Sequence, residues 1–315
     1  MFDHLPKRVS ITEVGPRDGL QNEPSWVPTE TKKEFIRRLA ATGLRRIEIG
    51  SFVAPKWIPP LKDGAEIGAA FSHMDGVETT ALVPNLKGLE NAHAAGMREI
   101  NVFMSCSETH NKKNINKDIA ETLRQFSELI PEAKRRGIKV LGYASTAFGC
   151  PYEGDVPRER VVSISKELME MGADGIGIGD TIGVGNPLQT KRLLEKLLDV
   201  VPAEQVVMHF HDTQGTAVAN AVASLEMGIT RFDASIGGLG GCPYAPGASG
   251  NVPTENLVYT FHGMGVDTGI DLTRLLEVGA WIQDKLGHPL PSNGLKAYLG
   301  RKQRAQEKPV PAVAS

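Results

Sequence analysis

Apolar and polar positions along this chain alternate with two different periods. Eight short runs, at 9–14, 46–50, 77–83, 99–104, 139–144, 175–179, 205–210 and 231–236, are rich in β-branched residues or alternate residue by residue. Both features predict strands. Between them lie segments with helical spacing, at 31–42, near 61–71, and at 86–95, 115–136, 158–171, 187–200 and 216–227. Pro187 suits a first helical turn, whereas Pro131 falls inside the longest stretch and predicts a break or a second start there. Eight strand–helix units in series, with no change of composition between them, predict a closed (β/α)8 TIM barrel, a fold that takes about 250 residues plus insertions. A doubly wound open sheet is the second choice, because no G-x-G-x-x-G turn accompanies the units. Two further helices, at Thr254–Gly263 and 272–287, are expected to pack over the barrel. Residues 1–298 then form a single domain, and 299–315 a polar tail whose PVPAVAS end is expected to be disordered.

Composition narrows the function by exclusion. The chain has 315 residues, 41% of them hydrophobic and 23% charged, with a net charge of −2. That is an ordinary globular profile, and no basic run interleaved with aromatics points to nucleic acid. No apolar run approaches the roughly 18–20 residues of a membrane span. The opening MFDHLPKRVSITEV lacks a signal-peptide apolar core. Three widely spaced cysteines make no disulfide framework and no C-x-x-C. A reducing cytoplasm is the expected compartment, with Cys106 and Cys150 structural.

The barrel expectation has a chemical consequence, since active sites of such barrels lie at the C-terminal ends of the strands. Residues capable of chemistry collect at those ends. Arg17 and Asp18 follow the first strand, Glu48 lies in the second with Ser51 after it, and Asp180 and Thr181 end the sixth. His209 and His211, with Asp212, end the seventh, and a glycine-dense loop at 237–251 carries Cys242 and Asn251. His209 and His211 are two apart on a strand, so both imidazoles face one side. Two imidazoles, the Asp18 carboxylate and the Asn251 amide oxygen make a donor set for a six-coordinate cation such as Mg²⁺ or Mn²⁺. A structural zinc would more often be held by thiolates in a closed shell. Arg17 offers a planar fork to carboxylate or enolate oxygens. Glu48 and Asp180 stand in apolar or glycine-rich strands, where a carboxylate is costly unless it is paired or functional; a buried Glu48–Arg17 ion pair is the simpler reading of the first. Cys242 can act as nucleophile or proton carrier. Lys112 and Lys113 would suit phosphates but read more simply as part of a solvated loop.

Three segments together carry a family resemblance: Thr12–Glu23 (TEVGPRDGLQNE), 209–215 (HFHDTQG) and the loop GGLGGCPYAPGASGN. In this order they resemble the 3-hydroxy-3-methylglutaryl-CoA (HMG-CoA) lyases of the DRE-TIM metallolyases. The resemblance covers nearly the whole chain. It implies a TIM barrel using Mg²⁺ or Mn²⁺, with Asp18, His209, His211 and Asn251 as metal ligands. It implies catalytic roles for Arg17, Glu48, Asp180 and Cys242, and substrate contacts from Arg17, Tyr143 and Thr181. The implied reaction splits HMG-CoA into acetyl-CoA and acetoacetate. In it Arg17 holds the developing thioester oxyanion, Asp180 or His209 is the base, and Cys242 supplies a proton from a closing loop. An acyl-CoA substrate and a homo-oligomer are implied as partners. The chain departs from the family's animal enzymes at Gln214 and in 105–112 (SCSETHNK), and its loop opens SIGGLGGCPY where SVAGLGGCPY is commoner. A lyase for another 3-hydroxy-acyl-CoA such as citramalyl-CoA, a Claisen-type synthase, and a barrel retained only for binding stay as alternatives.

Overall fold

The computed structural model describes residues 4–241 and 250–307. The strands are β1 Ser10–Glu13, β2 Arg46–Ser51, β3 Glu78–Leu82, β4 Glu99–Ser105, β5 Lys139–Ser145, β6 Gly175–Asp180, β7 Val206–Phe210 and β8 Arg231–Ala234. All pair in parallel, each with its sequence neighbour, and β8 returns to β1 with Ser10 opposite Arg231 and Glu13 opposite Ala234. The result is the closed eight-stranded barrel that the alternation predicted. Its strands are buried on both faces, which is why β-branched runs rather than strict in–out patterns dominate them.

The helices are α1 Thr29–Ala40, α2 Gly64–Phe71, α3 Leu86–Ala94, α4 Glu108–Ile115, α5 Ile119–Arg135, α6 Arg158–Glu170, α7 Pro187–Leu197, α8 Ala217–Glu226 and α9 Thr254–Gly263, followed by α10 Leu272–Leu286 and α11 Asn293–Glu307. Each ring helix turns one apolar stripe onto the strands; on α5 that stripe is Phe126, Leu129, Ile130 and Ala133. A fully buried leucine, isoleucine or phenylalanine contributes about 1.5–3 kcal/mol, so Phe35, Ile36 and Leu39 together seat α1 firmly. Local signals set the helix starts. Asp118 and Glu121 form a capping box on α5, as Asn186 and Gln189 do on α7, where Pro187 takes the first turn.

Three details depart from the reading of the sequence. The stretch 115–136 is not one helix, because Asn116 turns left-handed (φ 56°) after α4, and α5 begins beyond Asp118. Pro131 breaks nothing and lies inside α5; the packed apolar stripe holds the helix together across the missing donor. A third C-terminal helix, α11, runs across the start of the expected polar tail, and residues 308–315 lie outside the described residues. The segment between α10 and α11 braces the root of the glycine loop. Ser292 N donates to Gly237 O at 3.1 Å, and a Cβ on Gly237 (φ 68°) would collide with Leu290. Among the described residues no helix is long and apolar enough to cross a membrane.

Candidate active site

Strand ends β1, β2, β7 and β8 put one polar cluster at the barrel mouth. Directly after β1 the chain makes a tight π-type turn, Gly15–Gly19, that carries Arg17 and Asp18 over the opening. The turn needs its glycines, since a Cβ on Gly19 would lie 2.8 Å from that of Leu239. Asp18, His209 and His211 form a potential metal cluster, their ligand atoms all within 4.8 Å of one another. The two imidazole rings lie 5.3 Å apart. Asn251, 233 residues from Asp18 in sequence, donates its Nδ2 to Asp18 Oδ2 at 2.7 Å and to Leu239 O at 3.0 Å. Backbone pairing of His211 with Asn251 puts the amide beside the imidazoles. Asn251 Oδ1 and His211 Nδ1 are buried, with no hydrogen-bond partner among the described residues. Orphaned polar atoms at such depth are costly, and both belong to residues read as cation ligands.

Arg17 joins this cluster to a second one. Its Nη1 donates to Asp18 Oδ1 at 2.6 Å, and its Nε lies 2.7 Å from Glu48 Oε2. The simpler reading of Glu48, a buried ion pair with Arg17, describes this contact. Glu48 also accepts from Asn101 Nδ2 at 2.8 Å, and Asn101 Oδ1 accepts from Thr80 at 3.0 Å. Burial pushes the Glu48 carboxyl up in pKa, while Arg17 pulls it back. Burial also acts to raise Asp18, but Arg17, His209 and His211 outweigh it and hold that carboxyl down at about 2. Burial and the neighbouring His209 hold His211 down at about 4, a neutral imidazole at working pH. His209 goes the other way: burial lowers it, but Asp233 and Asp18 raise it.

Asp180 stands apart from this cluster. Its oxygens accept backbone amides of its own loop, Val184 N at 3.1 Å and Gly185 N at 2.9 Å. Burial raises it to about 6. Gly183 (φ 63°) lets the same loop press on Thr213 N and His211 O, so Asp180 braces the loop that supports β7. Thr181 accepts from Thr146 N at 2.7 Å and lines the cavity. Tyr143 also lines it, but its hydroxyl donates to Asp233 at 2.9 Å. Cys242 lies outside the described residues. The neck of its loop is closed by glycine, since a Cβ on Gly250 would fall 1.8 Å from Gly240 O. Cys106 and Cys150 are buried free thiols, as expected.

The reading of the sequence missed three polar residues. Asp233 Oδ2 accepts from the Tyr143 hydroxyl and lies 3.2 Å from His209 Nδ1. Asn101 holds Glu48. Glu13 accepts from Gly15 N at 2.7 Å, Ile236 N at 3.0 Å and Thr254 Oγ1 at 2.7 Å, tying β1 to the root of the glycine loop. Each is a polar residue buried in a barrel strand, where an unpaired group is expensive. That signal was legible, although the partner was not.

A cavity of about 890 Å³ runs from the cluster to α4. Lys113, in the last turn of α4 rather than in a loop, lines it with Nζ 4.0 Å over the Tyr152 ring. His110 on the same helix is buried, and burial holds it down at about 4 from an ordinary 6.5. Its folded pKa is depressed, so its contribution to stability is full above about 6.5 and is lost as pH falls through about 4. The loss amounts to at most about 3 kcal/mol. Urea midpoints of wild type and His110→Gln should therefore converge as pH falls across that window. A gap independent of pH would contradict the assignment.

Comparison with known proteins agrees with this geometry. Residues 8–282 match the HMGL-like family model. The hydroxymethylglutaryl-CoA lyase of Bacillus subtilis is 52% identical over 93% of this chain and 98% of its own length. The crystal structure of the HMG-CoA lyase from that organism matches with a TM-score of 0.91, covering 94% of this chain and 99% of that one. An HMG-CoA lyase from Acinetobacter baumannii, solved with coenzyme A and 3-methylmalate, is 41% identical with a TM-score of 0.89, covering 92% of this chain and 95% of its own. A 3-hydroxy-3-isohexenylglutaryl-CoA/hydroxymethylglutaryl-CoA lyase from Pseudomonas aeruginosa is 44% identical over 95% of this chain and 99% of its own.

Proposed function

The chain belongs to the HMGL-like family, and from that premise we propose that it is a divalent-cation-dependent lyase that splits HMG-CoA into acetyl-CoA and acetoacetate. The observation that carries the reading is the convergence of Asp18, His209 and His211 beside Arg17 at the barrel mouth. The donors fit a hard cation: one ionised carboxylate, two imidazoles, and a buried amide oxygen on Asn251 without a partner. Asp18, His209, His211 and Asn251 would hold it, and the family resemblance points to Mg²⁺ or Mn²⁺ as the ion. When bound, such an ion polarises a chelated substrate oxygen and makes its proton easier to lose.

The chain's own residues supply the rest. Arg17, kept charged by Glu48 and Asp18 against the cost of burial, is aimed to bind the thioester oxygen as negative charge develops on it. Glu48 orients Arg17 and is itself held by Asn101. Asp180 and His209 stay the two groups weighed as base: Asp180 turns both oxygens into its own loop, and His209 lines the cavity but is also read as a cation ligand. Thr181 and the ring of Tyr143 line the same cavity and would contact the substrate there. Cys242 keeps, from the family resemblance, the role of delivering a proton to the enolate carbon. Oligomerisation belongs to the same proposal, and light scattering at assay concentration reads it directly.

Acetoacetate release from HMG-CoA should be fast with Mg²⁺ or Mn²⁺ and should fall to background after chelation. Near-normal turnover by the chelated protein would refute the metal reading. The name of the Pseudomonas relative extends to a longer 3-substituent, so the assay should include a longer-chain 3-hydroxy-3-alkylglutaryl-CoA beside citramalyl-CoA. Activity on one of those in place of HMG-CoA would keep the mechanism and move the substrate.

A further inference from the structure

We propose that Asp233 is the positioning residue for His209, and that Tyr143, seated by Gly177, holds Asp233 in that role. His209 and Asp233 are direct register partners on β7 and β8. The Asp233 side chain is nearly fully buried inside the barrel. One of its oxygens, Oδ2, takes both the Tyr143 hydroxyl at 2.9 Å and His209 Nδ1 at 3.2 Å. A carboxylate at that depth is costly, and these two contacts, with the charge of Arg231 nearby, help to offset it. An imidazole that gives its Nδ1 proton to a carboxylate keeps Nε2 bare, the form in which histidine binds a cation.

The tyrosine is placed with equal care. Its ring meets the His209 ring edge-on, at 6.4 Å and 90°. It lies across β6 at Gly177, where a Cβ would fall 2.2 Å from Tyr143 Cδ1 and 2.3 Å from Cε1. A side chain at 177 would therefore expel the ring, and with it the hydroxyl that reaches from β5 to β8. What packs at Gly177 is the aromatic ring that supports Asp233.

The inference rests on His209 being a cation ligand, so its test is split. The first measurement is ¹⁵N correlation spectroscopy of the histidines in metal-free protein, followed up a pH series to the plateau at which the His209 signals no longer move. Wild type should show His209 as the Nδ1–H tautomer, and Asp233→Asn should shift it toward Nε2–H while His211 stays unchanged. Mn²⁺ affinity should fall about 10- to 100-fold in Asp233→Asn, the range seen when outer partners of metal-bound histidines are lost. Tyr143→Phe should lower it less, and the double variant should lose less than the sum of the two. An Nε2–H tautomer in wild type, or an unshifted His209 spectrum in Asp233→Asn whatever its affinity, would overturn the proposal. If Asp233→Asn does not fold, Gly177→Ala and Tyr143→Phe carry the same spectral test. His209→Ala separates the two ideas. Unchanged Mn²⁺ affinity there sinks the metal reading, whereas weakened affinity there with wild-type behaviour in Asp233→Asn sinks only the positioning role.

Discussion

Arg17→Gln should lower kcat by about two to three orders of magnitude, the usual effect of removing one donor aimed at a developing oxyanion, while KM moves only a few-fold. The geometry adds a complication that the experiment must separate. Glu48 is fully buried, and its Oε2 has the Arg17 guanidinium 2.7 Å away. Removing one member of such a pair leaves a buried charge uncompensated, at a cost of about 3–5 kcal/mol. The single variant should therefore melt earlier as well as turn over slowly. Arg17→Gln with Glu48→Gln removes both charges and should recover most of the melting temperature, but not kcat. Recovery of both together would reduce Arg17 to a strut. Arg17→Lys should fail too, because one ammonium cannot serve Glu48, Asp18 and a substrate oxygen as a planar fork does.

Asp18→Ala is the second large effect. It should weaken Mg²⁺ or Mn²⁺ binding at least about 100-fold, more than the loss of an outer partner does, and cut turnover by about a thousandfold at ordinary cation concentrations. The second figure follows from Lewis-acid stabilisation of several kcal/mol, at about 1.4 kcal/mol per decade. Asp18 is the one carboxylate of the cluster and is held ionised chiefly by the Arg17 guanidinium beside it. Titration calorimetry with either cation, beside turnover over a cation series, tests this. Partial recovery of rate at high Mg²⁺ is expected if binding alone is lost. Full activity with unchanged affinity would remove Asp18 from the ligand set. Asp18→Asn should fall between, since it keeps the shape against Asn251 and Arg17 but loses the charge.

These predictions rest on residues named from the sequence, and the division between sequence and structure follows distance along the chain. Eight strands, the order of the units and the shared face of His209 and His211 were legible because strand periodicity and helical spacing are local properties. The assignment of Arg17, Asp18, Glu48 and Thr181 to one mouth needed only the rule that parallel barrels collect their strand ends on one side. α4 and α11 were harder to read, since one is short and the other mostly polar, with weak apolar periodicity.

Which side chains touch was decided by closure of the barrel. The register of β7 against β8 sets His209 opposite Asp233, and no local pattern encodes that pairing. Asn251 meets Asp18 across 233 residues because the last strand returns to the first. Asp180 looked equivalent to the other strand-end acids, yet its oxygens turn to Val184 and Gly185, since glycine at 183 and 185 lets the loop fold back on them. What Gly177 packs against, the Tyr143 ring, is set by the register of β5 on β6. The chain thus specifies by itself the elements, their order and the chemical inventory at the strand ends. The partner and direction of each buried polar group come only with the tertiary fold, because a buried charge or amide takes its stability from whichever group the closed barrel places against it.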